Sequence, residues 1–126
     1  MPMMTQSPEE VVNAFFDAFE ARDFGRVRSF LSNNTFSYWS PIESFSNADD
    51  YIVTISRVGP ILEGIERCKT FVDGNDVCSI LKIRTTMDTM DATPVVELIT
   101  VVDGKITSME AIFDATEYNK MIVPPK

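Results

Sequence analysis

Glu97 and Glu110 are the residues whose types and spacing most invite a chemical reading, because facing carboxylates can pass a proton between them and a bound molecule. Counting back from the two-residue turn Asp103-Gly104 predicts that they lie directly opposite each other on adjacent strands. Like charges so placed repel, and one of the two pKa values rises. The same count puts Leu98, Thr100, Met109, Ala111 and Phe113 together on the other face of the hairpin. Two further candidates stand apart. Tyr38 carries a hydroxyl that can donate to a carbonyl, and its neighbour Trp39 a ring that can stack on another. Asp114 closes the last strand and is read either as an acid/base group or as the cap of a turn through Ala115-Thr116.

Much chemistry is excluded. The chain has no histidine, so neither a Ser-His-Asp nor a Cys-His centre can be built, and no zinc site of the usual kind is expected. Cys68 and Cys78 flank the turn Asp73-Gly74-Asn75-Asp76, in a register that puts Cys78 opposite Phe71 and Cys68 opposite Leu81. That separation is too long for a disulfide, and both are read as reduced packing residues. With 11 basic against 19 acidic residues the net charge is −8, which repels phosphate backbones and argues against nucleic acid and anionic membrane as partners. No run of about 20 apolar residues is present and the first residues do not read as a secretory signal, so the expected location is the cytoplasm.

The elements that must position these groups follow from local signals. A length of 126 residues predicts one domain spanning 1–126. Ser7-Pro8-Glu9-Glu10 is a capping box with proline at the first helical position, and Val11, Val12, Phe15, Phe16 and Phe19 recur behind it at helical spacing. This predicts a helix from about Pro8 to Arg22, with Asp17 facing solvent, then a short helix from Arg26 to Leu31. Thr35 to Trp39, including Phe36, reads as a strand stopped by Ser40-Pro41, and Asn47 opens a third helix carrying Tyr51, Ile52 and Ile55. Two hairpins complete the chain: Gly64–Val72 with Val77–Met87, and Pro94–Val102 with Lys105–Phe113. Helices first and strands after is the α+β pattern: three helices packed on a curved antiparallel sheet, as a cone around an apolar pocket. The last strands are apolar on both faces, which predicts a homodimer through the outer face.

The stretches SPEEVVNAFFDAFEARDFGRVRSFLSNNTF and VVDGKITSMEAIFDATEYN resemble the opening helices and closing hairpin of the nuclear transport factor 2-like superfamily, and within it ketosteroid isomerases and SnoaL-like polyketide cyclases. The resemblance makes the face of Leu98, Met109, Ala111 and Phe113 the pocket, and puts Glu97 and Glu110 outside, where Lys82 and Arg84 neutralise them. It adds Phe15, Phe19, Phe36, Tyr38 and Trp39 to the pocket walls, with Met87 and Met90 as adaptable fillers. Carried over position by position, the isomerase's helix tyrosine falls on Phe15, its base on Tyr38 or Ser40, and its late aspartic acid on Leu98. Steroid isomerisation by that mechanism is therefore not expected. The arginine–carboxylate set of limonene epoxide hydrolases finds no match near Ala111, and Asp114 is the nearest counterpart of a cyclase carboxylate. What remains is a pocket for a small hydrophobic molecule, without a cofactor. A cyclase or isomerase using Tyr38 or Asp114, and a protein-interaction module, are the alternatives.

Overall fold

The computed structural model describes residues 6–88 and 91–116. Helix α1 spans Pro8–Glu20 and begins as expected: Ser7 Oγ accepts from the Glu10 amide at 3.2 Å while Glu10 Oε1 accepts from the Ser7 amide at 2.8 Å. It buries Val11, Val12, Phe15, Phe16 and Ala18. The helix stops two residues before the expected Arg22. That residue sits at φ 59°, and its guanidinium donates to the carbonyls of Gly59 and Leu62, so it leaves the helical path to tie the helix end to the loop beyond α3. Helix α2 is Phe24–Ser29, capped by Asp23, and α3 is Ala48–Ser56, capped by Asn47. A 3-10 turn at Gly59–Ile61 leads into the sheet.

The strands are β1 (Ser37–Trp39), β2 (Ser44–Phe45), β3 (Leu62–Asp73), β4 (Asp76–Thr85), β5 (Thr93–Val102) and β6 (Lys105–Ile112), in the order β2-β1-β6-β5-β4-β3. The long strands β3 to β6 form an antiparallel meander, as expected. The sheet as a whole is mixed, because β1 runs parallel to β6, with Tyr38 beside Met109. Parallel neighbours need a long crossover, and here α3 and four strands, β2 to β5, supply it. The helices cover one face of the sheet, and the core between them includes Val11, Phe15, Val27, Leu81, Ile99 and Ile106. Among the described residues no helical layer covers the other face, which exposes Phe71, Leu98, Val102, Ile112 and Trp39.

One irregularity decides what faces the helices. After the turn, Val102 pairs with Lys105 and Val101 with Ile106, but Thr100 pairs with Ser108, so Thr107 is an extra residue in β6. Beyond this bulge Glu97 lies opposite Ala111 and Leu98 opposite Glu110, one position away from the simple count. Because side chains alternate, a one-residue shift exchanges the faces. Glu97 therefore shares the inner face with Ile99, Met109 and Ala111, and Leu98 goes outside with Glu110. The first hairpin has its own bulge at Cys68: Val72 pairs with Val77 and Phe71 with Cys78 as counted, whereas Leu81 meets Arg67. Both cysteines are free.

Strand β3 is held to α1 by a compact set of charges. The Arg67 guanidinium pairs with Asp17 at 2.7 Å and Glu20 at 2.8 Å and lies over the Phe16 ring. The other oxygen of Glu20 accepts from the Ile65 amide at 3.1 Å. Asp17 is exposed, as expected for its place on the helix, and its carboxylate is engaged.

Candidate functional site

A cavity of about 150 Å³ lies between α1, α3 and the inner face of the sheet. An engineered protein cavity of this size holds one benzene ring. Phe16 and Phe19 line it from α1, one turn apart and on the helix's apolar face. Tyr51 and Ile55 come from α3, four residues apart on its inward face. The cap fixes where that helix begins: Asn47 Oδ1 accepts from the Asp50 amide at 2.9 Å, and Tyr51 follows as the first large inward residue. The Tyr51 ring packs against Tyr38 at 4.7 Å and Phe36 at 5.4 Å between centroids, joining α3 to β1. The sheet contributes Ile65, Ile83, Val95 and Glu97, and Phe113 follows β6.

The mouth is shaped by the turn between β1 and β2. Ser40 is buried, its Oγ accepts from the amides of Ile42 and Glu43 at 3.3 and 3.2 Å, and it donates to the Glu43 carbonyl at 3.1 Å. This staple holds Ile42 and Glu43 against the cavity, which both line.

Glu97 is the chemically distinctive residue. Its carboxyl stands among apolar and aromatic walls, and burial pushes its pKa up to about 7. Both protonation states are then populated near neutral pH. Tyr51 is raised well above its usual value, first by burial, then by the charge on Glu97 and by Tyr38. It therefore stays protonated and able to donate. Among the described residues the cavity is lined by two carboxylates, Glu43 and Glu97, and by no lysine or arginine.

The residues expected at the site divide into three groups. Phe19, Tyr38 and Phe113 line the cavity. Phe15, Phe36, Met109 and Ala111 are buried in the core beside it and are not among its lining residues; Phe15 packs edge-on against Phe16 and Phe19. Leu98 and Trp39 lie on the outer face, because Leu98 is turned out by the Thr107 bulge and Trp39 pairs with Glu110. Asp114 is exposed, accepts from the amide and hydroxyl of Thr116, and is held below the usual carboxylate range by those bonds. It caps a turn and does not line the cavity. Lys82 and Arg84 do not neutralise Glu97, which faces the other way; Arg84 pairs with Asp91 and Glu66. Met90 lies outside the described residues.

Sequence reasoning missed Phe16, Tyr51 and Glu43 as site residues and put Glu97 on the wrong face. One signal was present for the last. Ile106 and Met109 are both apolar and three apart, a spacing that alternation cannot place on one face without an extra residue between them.

Among the described residues no group of three potential ligands is arranged to hold a metal ion, and no helix is long and apolar enough to cross a membrane. No family model and no curated protein matches the chain. Solved structures do. A nuclear transport factor 2-like protein of unknown function from Cytophaga hutchinsonii superposes with TM-score 0.80 at 22% identity, covering 94% of this chain and 98% of that one. An LEH-like epoxide hydrolase from M. tuberculosis gives 0.74 at 19% identity, over 92% and 89%. A candidate ketosteroid isomerase from Kribbella flavida gives 0.69 at 16% identity, over 87% and 79%. Three helices on a curved, unclosed, mixed sheet, superposing on 79% to 98% of the lengths of these proteins, give this chain the nuclear transport factor 2-like fold.

Proposed function

We propose that the chain takes up a small, largely hydrophobic molecule in the cavity between α1, α3 and the sheet, and exchanges a proton with it through Glu97. The observation that carries this reading is the Glu97 carboxyl, set by strand register among the mostly apolar and aromatic walls of the pocket, with Glu43 as the other carboxylate on its lining. A carboxyl there costs stability unless it has a use. A pKa of about 7 makes it equally ready to give and to take a proton at neutral pH. The cavity volume fits one ring with a short substituent and is small for a fused ring system. The test is an NMR titration with toluene, a neutral single-ring ligand. Chemical shifts should move to saturation with wild-type protein and not with Thr54→Trp, which fills the cavity from the α3 wall without disturbing the buried core. Equal saturation of both proteins would remove the cavity as the binding site.

A second reading, a cofactor-free isomerase or cyclase acting on a cyclic ketone, is favoured by the same carboxyl together with the Tyr51 hydroxyl. Glu97 would take a proton beside a carbonyl whose oxygen accepts from the phenol. Solvent-deuterium exchange into 2-cyclohexenone, followed by NMR, should then fall at least about 100-fold in Glu97→Gln. Exchange equal to that in buffer alone removes the enzymatic reading and leaves the binding one.

A further inference from the structure

We propose that the ligand of this cavity carries a basic nitrogen, and that it binds as a lipophilic ammonium ion with Glu97 as its counter-ion and the aromatic walls as its sides. The inference rests on the cavity being the binding site and adds the chemical class of what enters it. The ionisable side chains that face the interior come from three places: Glu97 from β5, Glu43 from the β1–β2 turn, and the phenols of Tyr38 and Tyr51 from β1 and α3. All four are neutral or negative. Three arginines on the surrounding elements are committed elsewhere. Arg67 is held by Asp17 and Glu20, Arg22 by the backbone of Gly59 and Leu62, and Arg84 by Asp91 on the opposite face.

Three kinds of polar end can be compared in that setting. A carboxylate or phosphate would lose its hydration against two carboxylates and gain no opposite charge, so anions are rejected. A neutral carbonyl or hydroxyl would find hydrogen bonds but would leave ionised Glu97 buried and uncompensated above neutral pH. An ammonium ion reverses that cost, because its charge and that of Glu97 attract strongly where water is excluded. Phe16, Phe19, Tyr38, Tyr51 and Phe113 surround the same space, and aromatic side chains stabilise a desolvated cation in addition. The net charge of −8 draws cations toward the surface before they enter.

Benzylamine, benzyl alcohol and benzoate share one ring and differ in the polar end. Their dissociation constants would be measured by NMR titration of the full chain at pH 8 in 0.5 M sodium chloride, where nonspecific attraction to a negative surface is screened. Benzylamine should bind at least about tenfold more tightly than benzyl alcohol, and benzoate should not saturate. Glu97→Gln should bring amine and alcohol within about twofold of each other, chiefly by weakening the amine. Alcohol binding as tight as amine in the wild type would overturn the inference and leave the cavity standing as a neutral-ligand site. An amine preference that survives Glu97→Gln would remove Glu97 as counter-ion and overturn it as well. Failure of all three together with failure of toluene would remove the cavity itself.

Discussion

The two faces of the sheet are built from nearly the same residues and have opposite fates. On strands β5 and β6 each face carries one glutamate and several aliphatic side chains. The inner face has Glu97 with Val95, Ile99 and Met109; the outer has Glu110 with Leu98, Val96 and Ile112. Composition does not separate them. The helices do: they cover the inner set, so Ile99 is 0% exposed, whereas Leu98 and Ile112 remain 40% and 53% exposed. The inner glutamate consequently has a pKa of about 7, and the outer one is open to solvent. What a residue does here is set by strand alternation together with the one-residue shift that a single bulge introduces.

The sharpest way to break that comparison is to put the same charge on adjacent residues. Ile99→Asp places a carboxylate in the packed core and should cost at least about 3 kcal/mol, measured by urea denaturation. Leu98→Asp, one residue away, should cost less than about 1 kcal/mol when both proteins are measured at concentrations where the chain is monomeric. If both substitutions cost the same, the assignment of faces is wrong. The outer face has its own test. Phe71, Cys78, Leu98 and Glu110 form a row of paired residues across four strands that ends at Trp39 on β1. We propose that a second copy of the chain covers this row. Sedimentation at micromolar concentration should give about twice the 14.2 kDa chain mass for the wild type. The double variant Leu98→Asp/Ile112→Asp should sediment as a monomer; a monomeric wild type would end the proposal.

A smaller effect reads the inner glutamate directly. The folded-state pKa of Glu97 is about 7 against an ordinary 4.5, so between those values the folded chain holds a proton that the unfolded chain has released. Its contribution to stability is therefore complete below about pH 4.5 and is lost as pH rises through about 7. Relative to Glu97→Gln, the wild type should lose on the order of 2 kcal/mol between pH 5 and pH 8. Parallel pH profiles for the two proteins would mean that the carboxyl is hydrated. Smaller still, Ser7→Ala should cost about 1 kcal/mol by opening the α1 cap, without changing toluene binding.

These results trace back to what local pattern can and cannot specify. The Ser7 capping box, the helical repeat of Val11 to Phe19, the two hairpin turns and the α+β order are all local signals, and each appears where it was read. Strand β2 is only two residues long, and the β1–β6 pairing joins segments about 70 residues apart with nothing local to announce it. The site was harder. Strand β5 reads as apolar on either parity, so its inner face depended on counting from the turn, and Thr107 defeats the count by one. Tyr38, Phe19 and Phe113 were accessible as lining residues because their own elements place them; Glu97 was not, because a neighbouring strand does.

The contact between Glu20 and the Ile65 amide has a consequence for the chain's behaviour in a crowded solution. Strand β3 is an outer edge of the sheet, twelve residues long, and such an edge offers a row of backbone groups on which another chain can add by strand pairing. Here a carboxylate borrowed from α1 already occupies one of those donors, Arg67 holds that carboxylate in place, and the Cys68 bulge bends the edge a few residues further on. The helix thus guards against aggregation with residues that contribute nothing to the cavity, and Glu20→Ala would be expected to leave the fold intact while raising the rate of fibrillar assembly on prolonged agitation.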